Sequence, residues 1–70
     1  MEHHPVTSTT MLSVGYDDDR YLLEIVFHSG KVYRYRNVPP DVFVSLMQAV
    51  SKGRYFNEHI RDIYPCQELN

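Results

Sequence analysis

The stretch Phe27-His28-Ser29-Gly30-Lys31-Val32-Tyr33-Arg34-Tyr35-Arg36-Asn37-Val38-Pro39-Pro40 constrains this chain most, because two strand-like runs meet there at a turn containing Ser29-Gly30. Two hairpin registers are open, and they bury different side chains. A two-residue loop, Ser29-Gly30, pairs Phe27 with Val32 and sets Leu23 and Ile25 on the same face as Arg36 and Arg34. That arrangement buries charge. A three-residue loop, His28-Ser29-Gly30 with Gly30 in the left-handed position, pairs Phe27 with Lys31, Ile25 with Tyr33 and Leu23 with Tyr35. One face then carries Leu23, Ile25, Phe27, Tyr33 and Tyr35, while the other opposes Glu24 to Arg34 and Val26 to Val32. The second register is the expected one, with the tyrosines over the core and Arg34 and Arg36 pointing away from it.

Around this hairpin the pattern predicts an α+β fold, a three-stranded antiparallel meander followed by two helices packed on one sheet face. Residues 1–8 read as a flexible arm. Leu12, Val14 and Tyr16 alternate with Ser13 and Gly15 as a first strand, and Asp17-Asp18-Asp19-Arg20 makes the turn into a second strand over about Tyr21–Phe27. The third runs over about Lys31–Val38. Pro40 has the backbone angle of a first helical residue, and Asp41 sets a negative charge at the positive end of the helix dipole. Phe43, Leu46, Met47 and Val50 form one apolar stripe, laid over Tyr33 and Tyr35, and Gly53 closes the helix. Asn57 caps a second, short helix that carries Ile60 and Ile63 inward and stops at Tyr64 before Pro65. The reading is a single domain over residues 9–65, with a flexible tail over residues 66–70.

With 70 residues, such a domain buries roughly 60 % of its unfolded surface, so a partner subunit would add stability. No apolar run approaches the roughly 18 residues of a membrane span, and Met1-Glu2-His3-His4-Pro5 lacks the basic start and apolar stretch of a secretory signal. Cys66 is the single cysteine, which excludes an intrachain disulfide and makes a reducing cytoplasm the expected setting. The net charge of -2 conceals a separation along the chain. Residues 1–30 hold Glu2, Asp17, Asp18, Asp19 and Glu24 against Arg20 alone. Residues 31–61 hold Lys31, Arg34, Arg36, Lys52, Arg54 and Arg61 against Asp41 and Glu58.

Val14-Gly15-Tyr16-Asp17, Leu23 through Phe27, Gly30 followed by Tyr33-Arg34-Tyr35, and Asn37-Val38-Pro39 then occur in an order that resembles the KTSC domain family. The similarity continues through Ala49-Val50-Ser51-Lys52-Gly53, Tyr55-Phe56-Asn57 and Ile60-Arg61, and so spans about Thr7 to Tyr64. That family is named for its occurrence at the C-terminus of some lysyl-tRNA synthetases and also occurs as a stand-alone bacterial protein, the form this chain resembles. The resemblance implies an RNA-binding role and carries across no catalytic residue.

No motif builds an enzyme or a cofactor site. His3, His4, His28, His59 and Cys66 stand at no recognised metal-ligand spacing, and no oxyanion hole accompanies Ser51 and His59. Asp17-Asp18-Asp19 lacks the later glycine and glutamate of a calcium loop and reads as a turn. Two functional classes remain. Arg34, Arg36, Lys52, Arg54 and Arg61 are the candidate contacts to RNA phosphates, with backbone N–H groups near the Gly53 turn as further anion donors and Glu24 as the neutralising neighbour of Arg34. Leu22, Val26 and Val32 on the outer sheet face are the candidate interface for a homodimer or another protein. The acidic overall balance opposes the first class, and the basic segment with its tyrosine-arginine alternation supports it. No small-molecule substrate is implied.

Overall fold

The computed structural model describes residues 1–69. Five antiparallel strands, β1 (His3–Pro5), β2 (Met11–Asp17), β3 (Leu22–Phe27), β4 (Val32–Tyr35) and β5 (Cys66–Glu68), form one sheet in the order β1-β2-β3-β4-β5. Between β4 and β5 come α1 (Pro40–Gln48) and α2 (Lys52–His59). The hairpin has the three-residue register: Leu23 pairs with Tyr35, Glu24 with Arg34, Ile25 with Tyr33 and Val26 with Val32. The Phe27 N–H donates to the Lys31 carbonyl at 2.9 Å, and Gly30 sits at φ 91°. Leu23 and Ile25 are fully buried and Tyr35 is 5 % exposed, so the inner face is the one the alternation indicated.

The expected three strands become five, because segments expected as arm and tail supply β1 and β5. His3, His4 and Pro5 pair with Gly15, Val14 and Ser13. Glu68, Gln67 and Cys66 pair with Tyr33, Arg34 and Tyr35. These three-residue edges have no apolar alternation of their own. They are held by ladder hydrogen bonds and by side chains of the inner strands, and Pro5 is tolerated because an edge strand leaves one row of backbone groups unpaired.

Within β2 the alternation shifts. Met11 pairs with Phe27 and Ser13 with Val26, which leaves Leu12 as the extra residue of a β-bulge. Met11, fully buried, therefore replaces Leu12 on the inner face beside Val14, and Leu12 is 45 % exposed. The turn after β2 is built by Asp17, whose Oδ1 accepts from the backbone N–H groups of Asp19 and Arg20. β4, expected as the third strand, ends at Tyr35, short of the expected Val38, because Asn37 takes φ 62° and turns the chain. Val38 is buried there, with its N–H on the Tyr21 carbonyl and its own carbonyl accepting from the Tyr16 hydroxyl at 2.5 Å.

Pro40 opens α1 as expected, but α1 ends at Gln48. Ala49 is extended (ψ 136°) and Ser51 caps α2, its Oγ accepting from the Arg54 N–H. Val50 consequently falls in the corner between the helices, fully exposed, rather than on the α1 stripe. Gly53 lies in the first turn of α2, where a Cβ would come within 2.7 Å of the Thr10 hydroxyl; close approach, not a C-cap, is what this glycine provides. Asn57 stands inside α2 rather than at its cap. Ile60 is buried but Ile63 is 57 % exposed, because the helix stops at His59 and Asp62 turns back at φ 61°. The helix over Tyr35 is α2, through Phe56 at 5.7 Å between ring centroids. Phe43 of α1 stacks instead on Tyr16 at 5.0 Å, so the expected pairing of Phe43 and Met47 with the two tyrosines gives way to this arrangement.

The bulge makes a direct test. Met11→Ala should cost about 3 kcal/mol, as other buried Met-to-Ala changes do, whereas Leu12→Ala should stay within about 0.5 kcal/mol. Urea unfolding of the two variants measures both, and a larger loss at Leu12 would mean that β2 keeps an unbroken alternation.

Candidate nucleic-acid interface

The helix side of the molecule carries two adjoining open depressions, separated by the chain before β2. His28 of the hairpin loop anchors that chain: its N–H donates to the Thr10 carbonyl at 3.0 Å, and its ring Nε2 lies 2.7 Å from the Ser8 carbonyl oxygen. Ser8 Oγ accepts from the N–H groups of Thr10 and Met11. Gly53 lets α2 come down on Thr10 from the other side. The result is a low ridge of Thr9 and Thr10 between hairpin and helix, faced by Asn57. These three residues line both depressions, which makes one trough.

At the α2 end the trough encloses about 820 Å³ and is lined by Ser51, Lys52, Gly53 and Arg54 together with Thr7 and Ser8. At the hairpin end it encloses about 660 Å³ over Phe27, Tyr33, Tyr35 and Phe56, with Lys31 and Arg61 at the rim. Four cations thus meet two carboxylates, Glu58 and Asp62, along a surface of a chain whose net charge is -2. Arg54 is already engaged with Glu58 at 3.5 Å, and Lys52 Nζ donates to the Ala49 carbonyl at 3.1 Å. The side chains of Lys31 and Arg61 make no hydrogen bond or ion pair with the described residues and are the cations available to an anion.

The five candidate cations are therefore not brought together. Lys52, Arg54 and Arg61 face the trough, while Arg34, by strand alternation, lies on the opposite sheet face. Arg36 follows Arg34 outward; its N–H donates to the Pro65 carbonyl, which continues the β4–β5 ladder by one residue. Arg34 is neutralised as its register suggested: Nη2 and Nε donate to Glu24 Oε2 at 3.0 and 3.2 Å, and Glu24 Oε1 takes a third contact from His3 Nε2 at 2.7 Å. Leu22, Val26 and Val32 share this outer face, each half-covered within the single chain. The acidic turn carboxylates Asp17, Asp18 and Asp19 lie within 4.8 Å of one another, with Asp17 committed to the backbone. The residues not anticipated as site residues are Lys31, Thr9, Thr10 and Asn57. Their one sequence signal is the run Thr7-Ser8-Thr9-Thr10, four hydroxyl side chains in succession.

The KTSC domain model matches residues 7–64. The chain belongs to the KTSC domain family. Its structure superposes on the crystal structure of a KTSC domain protein from Yersinia pestis with a TM-score of 0.96 at 39 % identity, covering 99 % of this chain and 97 % of that one. A protein of Stutzerimonas stutzeri is 43 % identical over 58 residues, 83 % of this chain and 82 % of the relative. The lysine–tRNA ligase of Nostoc punctiforme is 40 % identical over 56 residues, 80 % of this chain but 10 % of the ligase. No helix among the described residues is long and apolar enough to cross a membrane.

On the outer face of this KTSC domain, burial pushes the Glu24 carboxyl up, but the hydrogen bonds and charges of His3 and Arg34 outweigh it and hold the group below its ordinary value. A carboxyl lowered on folding contributes stability that is present above the ordinary value of 4.5 and lost as pH falls through the folded one. Glu24→Gln should cost about 1 kcal/mol at pH 7, below the roughly 1.5–3 kcal/mol of hydrogen bonds to charged groups because Arg34 keeps contact with solvent. The variant should also lose less stability than the wild type between pH 6 and pH 3. Thermal melts across that range check this; parallel pH profiles would mean that the cluster contributes nothing.

Proposed function

We propose that this KTSC domain is a non-catalytic RNA-binding module that holds single-stranded RNA along the trough between the β3–β4 hairpin and α2. The observation that carries the reading is the trough itself, in which cations at both ends flank a ridge of hydroxyl and amide groups over an aromatic floor. Single-stranded nucleic acid is held by this combination of a basic groove for the backbone and rings for the bases. The similarity to a tenth of a lysine–tRNA ligase supports RNA as the polyanion. Lys31, Lys52, Arg54 and Arg61 contact phosphates in this reading. Arg34 and Arg36 take no part, since they face the other way and Arg34 is held by Glu24.

Titration of a uridylate oligomer into isotope-labelled protein, followed by NMR at two salt concentrations, tests the proposal. Shifts should cluster at Thr9, Thr10, Lys31, Asn57 and Arg61. Affinity should fall with salt at a logarithmic slope of about -0.7 per phosphate engaged, roughly -2 for three. Lys31→Glu with Arg61→Glu should weaken binding at least about tenfold, while Arg36→Glu leaves it nearly unchanged, as expected of contacts dominated by phosphates. Shifts confined to Leu22, Val26 and Val32, with sedimentation that depends on protein concentration, would replace this reading with self-association through the outer face.

A further inference from the structure

The hairpin end of the trough differs from the α2 end in what lies beneath it. Four rings form a connected cluster there. Phe27 meets Tyr33 edge-on at 5.9 Å and Phe56 at 5.5 Å, and Tyr35 meets Tyr33 at 6.4 Å and Phe56 at 5.7 Å. Tyr35 and Phe56 are 5 % and 6 % exposed and belong to the core, but Tyr33 and Phe27 are only partly buried at the trough floor. Tyr33 is also fixed at its far end, where its hydroxyl donates to Glu68 Oε1 of β5 at 3.2 Å. An aromatic side chain that is partly open and held both by neighbouring rings and at its hydroxyl presents a pre-oriented surface, so little conformational freedom remains to be lost when a ligand settles on it.

The polar groups around this floor are arranged for a nucleotide rather than for a purely apolar ligand. Lys31 and Arg61 stand at the rim without a carboxylate bound among the described residues, and Arg61 is close enough to Tyr35 for its charge to act on the phenol. Asp62 is the carboxylate of the lining. It follows Arg61 at a left-handed turn and leaves the Lys31 side of the rim as the more favourable place for a phosphate. Asn57 lines both depressions, and its exposed amide offers two donors and an acceptor, the complement of a base's polar edge. The volume of about 660 Å³ lies within the roughly 300–1,000 Å³ of sites that hold small ligands.

From this arrangement we infer that the hairpin end of the trough is a pocket for one unstacked nucleobase of a bound RNA strand, with Tyr33 as the stacking surface, Asn57 against the base's polar edge, and Lys31 and Arg61 on the flanking phosphates. The inference rests on the RNA-binding reading above and adds to it a contact made by a base. Phosphate contacts do not distinguish a strand that carries bases from an abasic strand of equal charge; a stacked base does.

Fluorescence anisotropy with a labelled uridylate hexamer and an abasic hexamer of the same charge separates the two claims. The uridylate oligomer should bind roughly five- to a hundredfold more tightly than the abasic one, the range expected for base–aromatic stacking. Tyr33→Leu should remove that preference while leaving the abasic affinity unchanged, and Tyr33→Phe, which keeps the ring, should retain it. Asn57→Ala, an exposed position, should reduce the preference without changing the melting temperature, which keeps the test valid should Tyr33→Leu unfold. Equal binding of the two oligomers by the wild type overturns the base pocket and leaves phosphate-led RNA binding standing. Binding of neither overturns both.

Discussion

Gly30 sits at φ 91° with open space where a Cβ would point, so it is the backbone conformation and not crowding that demands glycine there. On that one angle depends the three-residue loop, and on the loop the pairing of Leu23 with Tyr35 and Ile25 with Tyr33. A slip of one residue would turn Arg34 toward the helices and the tyrosines toward solvent. The same register sets Glu24 beside Arg34 on the outer face, where a third contact from His3 fastens the first strand. The core, the outer charge cluster and the aromatic end of the trough are three consequences of a single turn.

The hairpin and its core were legible in the sequence because they are decided within a dozen residues by alternation and by one glycine. The helical half was legible only in part. Gly53 has the look of a helix terminus, yet its absence of side chain serves Thr10, more than forty positions earlier, and no local pattern announces a contact at that separation. The bulge at Leu12 escaped for a related reason: Leu12, Val14 and Tyr16 alternate perfectly, and only the pairing of Met11 with Phe27 shows that the alternation is broken. β1 and β5 are edges of three residues stabilised from next door, so neither contains a signal of its own.

The candidate site divides in the same way. That Glu24 would neutralise Arg34 follows from cross-strand pairing and could be read from the chain. That Lys52 and Arg61 would share a surface with Lys31, and not with Arg34 and Arg36, depends on how α2 settles over the hairpin. Cations distant in sequence are gathered or separated by the tertiary fold, and a count of charge along the chain says only that a basic surface is affordable. The hydroxyl run Thr7-Ser8-Thr9-Thr10 acquires meaning once His28 and Gly53 are seen to pin it from either side.

The order of the strands has a kinetic side. β2, β3 and β4 follow one another through short turns, so their pairing closes small loops and forms early, whereas β4 meets β5 only across the whole of both helices. Cys66, which walls the hairpin end of the trough, therefore joins the sheet through its most sequence-distant pairing. An edge held by a three-residue ladder, as β5 and β1 both are, opens at lower cost than the inner strands. Release of β5 would free the Tyr33 hydroxyl from Glu68 while the meander stays paired, so the orientation of that ring is tied to the C-terminal edge and not to the stability of the domain as a whole.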